Sequence, residues 1–143
     1  MRPCQIDQAA EAFKRAAELK SDPAYYVSLG KARKNELPIA QKRAEARAAY
    51  EQALKIDENY APAHLELGRL FMDSGELEKA KPELEKALYL EPDFYEAAYL
   101  LGRLYHSQQD EQRSSKYMAQ FAETKQALLQ QSVIGAGYLG DGR

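Results

Sequence analysis

The chain has 143 residues, 45% hydrophobic and 29% charged, which is enough to bury one core and too evenly mixed for a disordered polyelectrolyte or a membrane protein. Its net charge of -2 is the wrong sign for a protein that grips nucleic acid by neutralising phosphates. No apolar stretch approaches the roughly 18 to 20 residues that span a bilayer, and one cysteine, Cys4, permits neither an internal disulfide nor a cysteine metal cluster.

Seven helices are expected, over about residues 5–20, 23–35, 38–56, 61–74, 77–90, 95–108 and 111–131. In the first, Ala9, Phe13 and Ala16 follow the 4-3 spacing of one helix face. The second carries Leu29-Gly30, and the third starts near Pro38, a residue suited to a first turn, and continues through Ala46, Tyr50 and Ala53. Leu67-Gly68 marks the fourth. In the fifth, Ala80, Leu84 and Ala87 again share a face, but Pro82 predicts a kink near Lys81 or a later start. Leu101-Gly102 marks the sixth, and Ser114, Met118 and Phe121 the seventh. Residues 132–143 hold four of the eight glycines and no helical period, which predicts a flexible tail.

These elements repeat. The three Leu-Gly pairs place their glycines 38 and then 34 residues apart, while Ala46, Ala80, Ser114 and Tyr50, Leu84, Met118 and Ala53, Ala87, Phe121 all keep a 34-residue step. Glycine inside a helix costs about 1 kcal/mol relative to alanine. Its recurrence at one place in the period implies that a neighbouring helix passes too close for a β-carbon. The four extra residues in the first period are close to one helical turn, so the third helix lengthens without rotating its apolar face.

On these residues the chain resembles the tetratricopeptide repeat family. The middle unit, residues 61–94, carries the family's pattern as His64, Leu67-Gly68, Phe71, Ala80, Leu84, Ala87 and Pro92. The resemblance implies an all-α, right-handed solenoid of helix-turn-helix units: a half repeat at 1–22, repeats at 23–60, 61–94 and 95–131, and the tail at 132–143. Glu58 stands where the family has proline, and Ser114 and Phe121 where it has alanine, so the last second helix is expected to pack differently.

In this family the first helix of each pair lines the concave face. Carried over residue by residue, that face comprises an apolar row of Val27, Leu65 and Tyr99, a basic row of Lys31, Arg69 and Arg103, and a third row of Lys34, Met72 and His106. The expectation is a scaffold binding a protein or peptide partner through an extended acidic and apolar segment. The competing reading leaves the basic row as solvated charges paired with carboxylates. The family's carboxylate clamp is not encoded, because its positions hold Val27, Lys31, Glu66, Glu96 and Leu100.

The alternative function is a structural subunit or filament that self-associates through its terminal helices. Ile6, Ala9, Phe13 and Ala16 at one end, and Met118, Phe121, Ala122, Leu128 and Leu129 at the other, have no further repeat to cover them. Catalytic, cofactor and metal sites are not expected: His64 falls at a packing position, His106 lacks a second ligand at helical spacing, and Cys4 has no histidine near it in sequence. A cytoplasmic location is expected, with the periplasm as the alternative.

Overall fold

The computed structural model describes residues 22–33 and 39–140, together with residues 11, 14 and 15, and gives side chains for 22–31 and 40–135 within those spans. Of the helix expected over 5–20 only residues 11, 14 and 15 are described, and they are helical; the Lys34 position lies outside the described residues. Six helices follow: α1 (Pro23–Arg33), α2 (Ile39–Ile56), α3 (Ala61–Asp73), α4 (Leu77–Leu90), α5 (Tyr95–Ser107) and α6 (Glu111–Gly140). Among the described residues there is no strand.

Local chemistry places the helix ends. Asp22 accepts the Ala24 N–H at 2.9 Å, capping α1, and Asp110 does the same for α6 through the Arg113 N–H at 3.1 Å. Helix α3 begins with Pro62 in its first turn, where no N–H is needed. It ends with Gly75 at φ 76°, whose N–H reaches the Met72 carbonyl at 3.0 Å, while Glu76 N–H reaches Phe71 at 2.8 Å. This left-handed cap recurs 34 residues later, with Gln109 at φ 61° and the bonds Gln109 to His106 and Asp110 to Tyr105 at 3.0 and 2.9 Å. The period is thus written into the turns as well as the helices.

Glu58 in place of proline does not remove the stop between repeats. Helix α2 ends at Ile56, 34 residues before the end of α4 at Leu90, and in the turn that follows the Asp57 side chain accepts the Asn59 N–H at 3.0 Å. Pro82 does not delay α4, which starts at Leu77 and runs through it to Leu90. The proline forfeits only the bond that its N–H would make to the Glu78 carbonyl, near the start of the helix.

The helices pair as hairpins α1/α2, α3/α4 and α5/α6, and each hairpin stacks on the next through α2/α3 and α4/α5. The first helices also lie side by side, α1 on α3 and α3 on α5. One continuous core results, containing Ala46, Tyr50, Ala53, Ala80, Leu84, Ala87, Leu101 and Leu104. Each hairpin closes over its glycine. A β-carbon on Gly30 would lie 2.6 Å from the Tyr50 ring, on Gly68 2.5 Å from Leu84, and on Gly102 3.0 Å from Met118. The three contacted residues are the three that share one repeat position.

The last second helix does pack differently. Ser114 is buried where alanine is usual, and its hydroxyl donates to the Gly102 carbonyl at 3.0 Å, which removes the burial penalty. Phe121 replaces a fully buried alanine and instead meets the Tyr95 and Tyr99 rings at 6.0 and 5.2 Å.

The expectation of a non-helical tail from residue 132 is corrected, since α6 continues to Gly140 and is 30 residues long. Loss of hydrophobic periodicity removes a reason to pack, not a reason to stay helical. An existing helix adds one hydrogen bond per residue, and no proline interrupts this segment. Because α6 touches α5 alone among the described helices, and α5 has only 13 residues, the second half of α6 extends past its support. Leu129, Val133 and Ile134 there are exposed.

Candidate partner-binding cleft

A cleft of about 450 Å³ opens where α3, α5 and α6 meet. Helix α3 contributes Arg69, Met72 and Asp73, α5 contributes Tyr95, Glu96, Tyr99, Leu100 and Arg103, and α6 contributes Phe121. The spacings of four and of three residues along α5 and α3 set these side chains on one face of each helix. Four of the residues expected on the concave face, Arg69, Met72, Tyr99 and Arg103, therefore converge on one opening.

The remaining expected residues do not join them. Val27 and Leu65 are 5% and 2% exposed and belong to the core, so the continuous apolar row is corrected to a single exposed member, Tyr99 at 39%. The reason is lateral packing: α1 and α3 each have a following first helix beside them, whereas α5 has none among the described residues. His106 lies outside the cleft lining, with Nδ1 3.0 Å from Glu111 Oε1 and both side chains largely exposed, so their attraction is weak.

The basic row is neutralised from within at one member and loosely faced by carboxylates at another. Lys31 Nζ stands 3.1 Å from Oε1 of the buried Glu66. Arg69 faces carboxylates on both sides, its Nε 4.0 Å from Glu66 Oε2 and its Nη2 4.0 Å from Glu96 Oε2. These charges alternate across three first helices and tie α1, α3 and α5 together. Burial, reinforced by the Glu66 charge, raises the Tyr50 phenol well above its ordinary range, so Tyr50 stays protonated inside this seam.

Two cations retain binding capacity. The buried Arg69 Nε has no hydrogen-bond partner among the described residues, and its two carboxylate neighbours stand too far for strong bonds. The Arg103 guanidinium lies 5.9 Å from the Tyr99 ring centroid, and no carboxylate among the described residues pairs with it. Beneath both is an apolar floor of Met72, Leu100, Tyr99 and Phe121. Such a site takes an apolar side chain with a hydrogen-bond acceptor or carboxylate beside it. Asp73, Tyr95, Glu96, Leu100 and Phe121 were not anticipated as lining residues. Phe121 had a visible signal, a large ring where the period calls for a small residue.

No group of three or more histidine, cysteine or acidic side chains among the described residues is arranged to hold a metal ion. No helix among them is long and apolar enough to cross a membrane.

Comparison with known proteins agrees with this architecture. The sequence model of the tetratricopeptide repeat family matches residues 39–93. The TPR repeat-containing protein YpiA of Bacillus subtilis (strain 168) is 32% identical over 106 residues, covering 69% of this chain, and the chain spans 23% of that relative's length. The crystal structure of MamA superposes with a TM-score of 0.73 at 24% identity, covering 87% of this chain and 71% of MamA. A thermophilic TPR protein of Thermus thermophilus gives 0.72 at 24% identity, covering 94% of this chain and 73% of its own. With its 34-residue period, its hairpins closed over glycine and these relatives, the chain belongs to the tetratricopeptide repeat family.

Proposed function

We propose that the chain is a protein–protein interaction scaffold whose concave cleft captures an acidic and apolar segment of a partner. The observation that carries this reading is Arg103, a cation 5.9 Å from the Tyr99 ring centroid without a carboxylate of its own among the described residues, in a cleft it shares with Arg69, whose Nε makes no hydrogen bond there, and with the apolar Phe121 and Met72. Apolar side chains of the ligand occupy the opening of about 450 Å³, and a ligand carboxylate bridges the two arginines. Lys31 serves a different purpose in this reading, since it is committed to Glu66.

Fluorescence anisotropy with a panel of short labelled peptides, acidic-apolar against basic-apolar, tests the proposal. A charge-assisted hydrogen bond contributes about 1.5–3 kcal/mol, so Arg103→Glu should weaken acidic-apolar binding roughly 10- to 100-fold, and added salt should weaken it in the wild type. Equal binding of both peptide classes, or affinity indifferent to Arg103→Glu and to salt, refutes the cleft reading.

The exposed Leu129, Val133 and Ile134 on α6 support a second reading, a structural subunit that self-associates through its free end. Sedimentation over a dilution series separates the two, because a species that keeps the monomer mass at every concentration rules out self-association.

A further inference from the structure

His64 sits in the first turns of α3, with 12% of its side chain exposed, where three segments meet. Its Nδ1 lies 2.6 Å from Glu83 Oε2 on α4, and its Nε2 lies 2.8 Å from the main-chain oxygen of Glu58, in the turn between α2 and α3. A carbonyl oxygen only accepts, so Nε2 carries a hydrogen. At 2.6 Å, Nδ1 and a bare carboxylate oxygen without a hydrogen between them would oppose lone pair to lone pair. That axis therefore holds a proton as well. Whichever atom keeps it, the group binds one proton more than a neutral imidazole and a separate carboxylate would.

We propose that His64, Glu83 and the Glu58 carbonyl form a proton-operated latch across the junction of the first two repeats, closed with the extra proton bound and opened by its loss. When the proton leaves, the two facing lone pairs separate, and the imidazole can no longer hold both α4 and the turn. The turn that joins the repeats loses its tie to the second hairpin. Because α3 also carries Arg69 and Met72, the latch fixes the α3 wall of the cleft. The latch itself does not depend on what the cleft binds.

The groups around the ring agree with this geometry. Helix α4 presents the ionisable Glu83 and Lys86, and the turn presents the main-chain oxygen of Glu58. The hydrogen bond to Glu83 is the largest influence and raises the His64 pKa above its ordinary 6.5, outweighing burial and the repulsion from Lys86. A pKa raised by folding gives stability that is complete below 6.5 and disappears as pH climbs through the folded value.

The test is a titration of the imidazole NMR signals of the full chain, which has two histidines, with His64 assigned by His106→Gln. His64 should titrate above 6.5, and Glu83→Gln should shift its midpoint down. The wild-type melting temperature should fall as pH rises through the His64 midpoint, and His64→Gln should flatten that fall. A wild-type midpoint at or below 6.5, a midpoint unmoved by Glu83→Gln, or parallel melting profiles for wild type and His64→Gln would overturn the latch. Should Glu83→Gln fail to fold, the wild-type midpoint and the His64→Gln comparison decide the matter.

Discussion

Substituting alanine at each repeat glycine separates close packing from helix propensity, because the three sites share one repeat position and differ in the neighbour. In Gly68→Ala the new β-carbon would lie 2.5 Å from both Cγ and Cδ2 of Leu84, a residue with no exposed surface. The contact reaches the branch point of Leu84 and not its tip, so rotating the tip away does not relieve it. Overpacking of this kind costs about 1–3 kcal/mol, and alanine returns about 1 kcal/mol of helix propensity. The difference is a net loss of about 0–2 kcal/mol, and the contact with a buried branch point places Gly68→Ala toward the upper end of it. Gly30→Ala meets the Tyr50 ring at 2.6 Å, and that ring is rigid and 1% exposed, so a similar loss is expected. Gly102→Ala meets Met118 at 3.0–3.1 Å, and this unbranched, half-buried side chain can retreat, leaving a net change within about 0.5 kcal/mol of zero. Urea unfolding followed by circular dichroism ranks the three. If Gly68→Ala matches the wild type, or if all three variants lose equally, the argument from close approach fails.

Two further perturbations follow from the turns and the last helix. Gln109→Gly relieves a side chain held at φ 61° and should stabilise by about 0.5–1 kcal/mol, the left-handed strain less glycine's extra freedom when unfolded; a lower melting temperature would contradict the assignment of that cap. A stop codon after Gln131 removes a segment whose Val133 and Ile134 are 69% and 70% exposed. Melting should then be unchanged, and a fall of several degrees would mean that this segment covers core.

Much of the fold was legible because its determinants are short-range and periodic. The 34-residue step placed Tyr50, Leu84 and Met118 at one repeat position and the glycines implied a close approach, while which side chains fill the space over Gly30, Gly68 and Gly102 became visible only in the structure. The cleft was legible in part. The resemblance to the family set Arg69, Met72, Tyr99 and Arg103 on the concave face, but whether that face is open depends on lateral neighbours, which covered Val27 and Leu65 and left Tyr99 accessible. The basic row could be read from sequence as positive charge. That Glu66 and Glu96 come within 4.0 Å of Arg69 depends on the distance between stacked helices, which no single repeat encodes. The helical course of residues 132–140 was missed because amphipathic periodicity reports on burial, and this stretch is a helix without a partner among the described residues.

The contact map has a mechanical consequence. Each of the six described helices touches only those one or two places away in the chain, so α1 and α6 are not clamped to each other. Under tension applied at the termini, load passes through each hairpin in series, and the hairpin with the weakest interface yields first while its neighbours stay folded. Such a molecule is expected to extend in discrete steps, more like a row of snap fasteners than a single knot.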